Sequence, residues 1–161
     1  MIELVMVLVV VGILSVSVTA AIANAINRIR LENALDKITS DIRYAQYMAT
    51  NTAIWYGVSF EVNPINRYTV YTTTGTADTG VADPGKANAN LVVLLSTTYG
   101  TTLSSVTVEG GGTHIEFSPS GSPYSDKTGA VLTAESVVTL SNGVSTKTVR
   151  VTPGTGRVYQ Q

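Results

Sequence analysis

From Leu4 to about Asn51 the chain contains no proline, and its one glycine there is Gly12. A stretch that long without breakers reads as a single helix, and about 50 residues at 1.5 Å each make a rod of about 75 Å. The rod changes character along its length. Residues 1–14 read Met-Ile-Glu-Leu-Val-Met-Val-Leu-Val-Val-Val-Gly-Ile-Leu, and Glu3 is the only charged side chain before Arg28. Further on, Leu31, Leu35, Ile38, Ile42, Ala45 and Ala49 recur at steps of four and three, with Ile22, Ile26 and Ile29 in a similar rhythm upstream. The opposite face carries Arg28, Glu32, Asn33, Asp36, Lys37, Ser40 and Arg43, which makes the second half amphipathic. Arg28–Glu32 and Lys37–Asp41 stand at i,i+4, where an ion pair adds a few tenths of a kcal/mol.

Such a rod is too long for the rest of the chain to cover. Of the 161 residues, about 110 remain after the helix, enough for a modest core. They cannot bury the whole rod, so its apolar first half must enter a membrane or pack against other copies of the chain. The organisation expected is a helix over 1–52, with an apolar membrane or filament-core part over 1–26 and an amphipathic part over 27–52. A β-rich domain occupies 53–161. About 20 apolar residues suffice to span a bilayer. A carboxylate in that setting costs roughly 2–4 kcal/mol unless it finds a partner. The nearest positive group for Glu3 is a chain amine, its own or a neighbour's, which points to self-assembly. A secretory signal would open on Lys or Arg and end at a small-residue cleavage site. Here the flank carries an acid, and the chain reads as a processed form. Arg28 and Arg30 alone would place the domain in the cytoplasm, and a basic leader already removed would reverse that.

After Asn51 the period becomes two. Ile54, Tyr56, Val58, Phe60 and Val62 alternate with Trp55, Gly57, Ser59 and Glu61, and Asn63-Pro64-Ile65-Asn66 marks a turn into a return strand over Tyr68–Thr72. Residues 73–90 read as an exposed loop and Leu91–Leu95 as a strand. Leu103–Glu109 and His114–Phe117 flank three glycines as a hairpin, and Ser118–Gly129 reads as a loop. Ser136–Leu140 and Thr146–Thr152 flank Asn142-Gly143, a strong hairpin dipeptide. Residues 154–159 suggest a last short strand. The fold class is α+β.

Little in the chain suggests catalysis. With no cysteine and a single histidine, His114, neither a metal centre nor a catalytic triad is expected, and no cofactor. Asp78, Asp83 and Asp126 lie in loops without the spacing of a calcium loop. Gly110-Gly111-Gly112 and Gly154–Gly156 open no helix and are not phosphate loops. A net charge of -1 does not favour nucleic acid in bulk. The aromatic fraction of 7% gives electron transport no special support. Trp55 and the tyrosines read as packing residues.

Ile2-Glu3-Leu4, the apolar run, Gly12 and the amphipathic extension resemble the N-terminus of type IV pilins and type II secretion pseudopilins. Those proteins carry Glu fifth in a Phe-Thr-Leu-Ile-Glu-Leu start, whereas here it is third, and Ala20 stands where many pilins have proline. Asp41–Ala49, Ile115–Gly121, Val138–Gly143 and Thr148–Val158 resemble the GspH/FimT type of pilin domain. The resemblance implies the pilin fold: a long N-terminal helix whose C-terminal half is packed by antiparallel sheet. It also implies a structural subunit, not an enzyme, that polymerises as a homo-oligomer into a helical filament. Glu3 would pair with a neighbour's N-terminal amine, and Met1 would be the processed, methylated end. Implied partners are a prepilin peptidase, an assembly platform and the inner membrane before assembly, with an extracellular filament as the end point. The competing expectation is a minor tip or priming pseudopilin of a secretion or DNA-uptake machine. Some FimT-type pilins take up DNA through a C-terminal Gly-Arg-x-Arg. Here Gly156-Arg157-Val158-Tyr159 supplies the first Arg, and Arg157, Arg150 and Lys147 become candidate DNA contacts.

Overall fold

The computed structural model of the chain describes residues 2–161, with the side chains of 13–21 left out of the description. Met1, the expected processed end, lies outside the described residues. Helix α1 runs from Ile2 to Thr52 without interruption. It ends at Ala53, whose φ of 55° turns the chain left-handed and out of the helix.

Ten strands and one short helix complete the domain. The first group comprises β1 (Trp55–Glu61), β2 (Arg67–Thr73), β3 (Asp78–Gly80), β4 (Val92–Leu94) and, after the helix α2 (Leu95–Tyr99), β5 (Thr102–Thr107). The second comprises β6 (His114–Phe117), β7 (Pro123–Tyr124), β8 (Ser136–Ser141), β9 (Thr146–Val151) and β10 (Val158–Gln160). They form two antiparallel sheets, one ordered β3-β2-β1-β6-β7 with β4 also on β2, the other ordered β10-β9-β8-β5. Both lie against the second half of α1, in the α+β pilin arrangement.

The helical periodicity places the core. Leu31, Leu35, Ile38, Ile42, Ala45 and Ala49 are all buried, and Ala34 completes the stripe. They meet Tyr56, Val58 and Phe60 of β1 and Tyr68 and Val70 of β2. From the second sheet come Val138, Leu140, Val149 and Val151. Both expected ion pairs form, Arg28 to Glu32 at 3.2 Å and Lys37 to Asp41 at 2.7 Å. The turn after β1 forms as read, and its Asn66 adopts a φ of 53°. Asn66 Oδ1 accepts from the Leu103 amide at 3.0 Å, fastening the turn to β5.

Three expectations about the strands need correction. Leu103–Glu109 and His114–Phe117 do not form a hairpin: β5 pairs with β8 and β6 with β1. Gly110 and Gly111, at φ of 87° and 80°, carry the chain from one sheet to the other. Thr113 O then accepts from Phe60 N at 2.8 Å, so the chain joins β1 at once. Residues 73–90 are more than a loop, because β3 continues the sheet beyond β2. Residues 118–129 likewise contain β7, which adds to β6. The short helix α2 has no counterpart in the sequence reading; Gly100, at φ 64°, ends it. The hairpin at Asn142-Gly143 forms as expected, with Gly143 at φ 84°.

Candidate functional site

The first part of α1 carries no coat. Every described side chain from Ile2 to Gly12 is exposed, from Ile2 at 82% to Val11 at 53%. Eleven successive helical positions cover the whole circumference, so this segment presents apolar side chains on every side, with Glu3 as its one charge. Ile22, Ile26 and Ile29 are exposed as well, and burial begins at Leu31. Apolar surface on this scale marks a contact with lipid or protein. Glu3 lies in the first turn, where the aligned peptide dipoles favour a carboxylate. The expected membrane span falls on residues 4–26. Among the described residues no helix is long and apolar enough to cross a membrane; the expected span takes in residues 13–21, whose side chains lie outside the described ones.

The clothed half of α1 is fastened at its far end. Gln46 Nε2 donates to Gly121 O at 2.9 Å and to Thr155 O at 3.0 Å. Arg43 donates to Val158 O at 2.8 Å. Gly156 sits at φ 66°, and a Cβ there would lie 2.5 Å from Gln46 Nε2 and 2.7 Å from Gly121 O. The glycine before Arg157 therefore has a packing reason to be glycine.

Beyond it, the three candidate basic residues do not gather into one patch. Arg150 and Tyr159 are cross-strand partners on the outer face of β9 and β10. Glu135 holds both: Tyr159 Oη donates to it at 2.6 Å and Arg150 Nη1 at 3.0 Å. These two hydrogen bonds, Tyr159 first, keep the Glu135 carboxyl below its usual range, and the same carboxylate pushes the Tyr159 phenol up. Arg157 is exposed, two residues before Tyr159. Lys147 is an odd number of residues from Arg150 and lies on the other side of β9, in a small recess with Glu32, Asp36 and Gln160. Its nearby charges are acidic, and Arg150 is already neutralised. Of the three candidates, Arg157 is the exposed one for which no ion pair is formed among the described residues.

His114 lies on the outer face of the first sheet, half-buried. Among the described residues no three His, Cys, Asp or Glu side chains are placed to hold a metal ion. Two buried side-chain pairs escaped the sequence reading. Asp41 is buried under Tyr68, whose hydroxyl donates to Oδ2 at 2.7 Å. Glu116 is buried on the outward face of β6 and accepts from Tyr71 at 2.8 Å. Alternation marks Glu116 as outward-facing, but nothing in the sequence shows that Tyr71 covers it.

A long helix, bare in front and wrapped behind by two antiparallel sheets, is the architecture of pilins and pseudopilins. The chain shares it with the type IV minor pilin FimU of Pseudomonas aeruginosa, at a TM-score of 0.54 and 14% identity over 83% of this chain and 90% of that one. It shares it also with the minor pseudopilin EpsH from the type 2 secretion system of Vibrio cholerae. There the TM-score is 0.60, with 11% identity over 82% of this chain and 96% of that one. No family model and no curated protein matches the chain in sequence.

Proposed function

We propose that the chain is a structural subunit that polymerises through its apolar N-terminal helix into a type IV pilus-like filament. The observation that carries this is the exposure of every described side chain from Ile2 to Gly12, beside a domain that closes its own core from Leu31 onward. Burying such a helix among copies of itself removes the apolar surface from water. Glu3 then pairs with the N-terminal amine of the adjacent subunit. An acid left unpaired in the filament core is costly, so the pair favours correct axial register. In this reading the subunit waits in the inner membrane and a prepilin peptidase trims and methylates its end. An assembly platform then passes it into an extracellular filament, with the sheets as coat. No enzymatic role is assigned.

A second reading is favoured by the likeness to a minor pilin and a minor pseudopilin. In it the chain is a tip or priming subunit of a secretion or DNA-uptake machine. Arg157 is then the DNA contact to test first, because Arg150 and Lys147 have acidic neighbours.

Electron microscopy of filaments sheared from cells, with and without Glu3→Ala, separates the two. Abundant filaments whose density fits this chain, lost in the variant, support the main subunit. Filaments that persist without this chain in their body overturn that reading and favour the tip.

A further inference from the structure

The outer face of the first sheet holds a groove of about 450 Å³ floored by β1, β2 and β6. One cross-strand row builds it: Gly80 of β3, Tyr71 of β2, Gly57 of β1 and Glu116 of β6. Gly57 leaves the space that the Tyr71 ring fills, since a Cβ there would lie 2.5 Å from the ring. Lying flat across that gap, Tyr71 brings its hydroxyl to Glu116 Oε1 at 2.8 Å. Glu116 is only 5% exposed, and its second oxygen, Oε2, has no hydrogen-bond partner. A buried carboxylate oxygen without a donor is costly and calls for one.

The groove's charge says which donor. Its lining includes Glu61, Asp78, Glu116 and Asp126, with His114 and no Lys or Arg. Glu61 is matched by Arg67 at 2.6 Å, while Asp78 and Asp126 are exposed. Burial first, then Glu116, and after them Asp78 and Asp126 push the Tyr71 hydroxyl up from its ordinary range. The acids are too spread to chelate a metal ion. An extended cation with N–H donors can reach across them, giving one donor to Glu116 and charge to the rim.

We propose that this groove binds an organic cation bearing N–H donors, a primary ammonium or guanidinium on an extended chain, with Glu116 Oε2 as its buried acceptor. A free polyamine and the lysine or arginine side chain of a neighbouring subunit share this chemistry.

Calorimetric titration of the full chain in detergent, with spermidine and agmatine as probes, tests the site. One saturable site for each is expected, with no competition from tetramethylammonium, which has no N–H donor. Glu116→Gln keeps an acceptor for Tyr71 but replaces the orphan oxygen with an amide. It is expected to weaken binding by about tenfold or more. Asp78→Asn, at an exposed position that leaves folding intact, is expected to weaken it by a smaller factor, and Asp36→Asn not at all. Competition by capped lysine or arginine identifies a side chain as the source, and its failure restricts the source to free polyamine. No saturable binding, binding unchanged in both groove variants, or equal binding of tetramethylammonium overturns the proposal.

Discussion

Tyr68 donates its hydroxyl to Asp41 Oδ2 at 2.7 Å inside the domain, while Lys37 holds Oδ1 of the same carboxylate at 2.7 Å. The sequence displays only the outer half of this arrangement, the i,i+4 pair on the helix. The inner half ties α1 to β2 across the core. Removing the phenolic hydroxyl leaves a buried carboxylate oxygen without its donor. Tyr68→Phe is therefore expected to cost about 1.5–3 kcal/mol in urea unfolding. A cost below about 0.5 kcal/mol would show that the bond adds nothing net.

Alkali should unfold the domain for a related reason. Burial first, and then Asp41, push the Tyr68 phenol above its ordinary 10.0; burial and Glu116 do the same for Tyr71. Both stay protonated in the folded chain, whereas in the unfolded chain they ionise near pH 10. A raised folded value gives stability that is present in full below pH 10 and declines as the pH rises above it. Each tyrosine should contribute a slope of about 1.4 kcal/mol per pH unit there. Thermal melts between pH 9 and 11.5 are expected to show this decline, shallower in Tyr71→Phe. Equal slopes in the two proteins would count against it.

Two left-handed positions should respond in opposite directions. Ala53 ends α1 at φ 55° and is exposed, so it bears the strain of a Cβ that nothing needs. Ala53→Gly should raise stability by about 0.5–1 kcal/mol. Gly156→Ala should lower it by about 2 kcal/mol or more, because the new Cβ meets Gln46 and the Gly121 carbonyl as well as an unfavourable φ. Chemical denaturation of the two variants checks both signs.

Deleting residues 1–25 should leave the domain's melting temperature within about 2 °C of the parent's. None of the described side chains before Leu31 is buried, and surface changes away from such contacts are worth at most about 0.5 kcal/mol. Self-association should disappear with the segment, as sedimentation in detergent-free buffer would show. A large drop in melting temperature would mean that the front of the helix supports the domain.

The helix, its buried stripe and its ion pairs were legible because they depend on local spacing. The Asn142-Gly143 hairpin was legible because the turn needs a left-handed residue that glycine supplies. Pairing beyond neighbours was not: the three-glycine run looks like a hairpin, yet it moves the chain between sheets. β3 and β7 were hidden because edge strands of two or three residues have no period to read. For the candidate site, the uncovered apolar helix was plain in the sequence. The expected cluster of Lys147, Arg150 and Arg157 was undone by strand alternation, which puts Lys147 and Arg150 on opposite faces of β9. Glu135 as the partner of Arg150, 15 residues away, carried no local signal.

The single amide of Gln46 has a consequence for cooperativity. Its two hydrogens reach carbonyls in the 118–122 loop and the 152–157 loop, which belong to different sheets. The helix touches strands of both sheets, so neither has a complete core without it. The domain has a shared keel, and the two sheets should open to hydrogen exchange together, as one unit with one free energy.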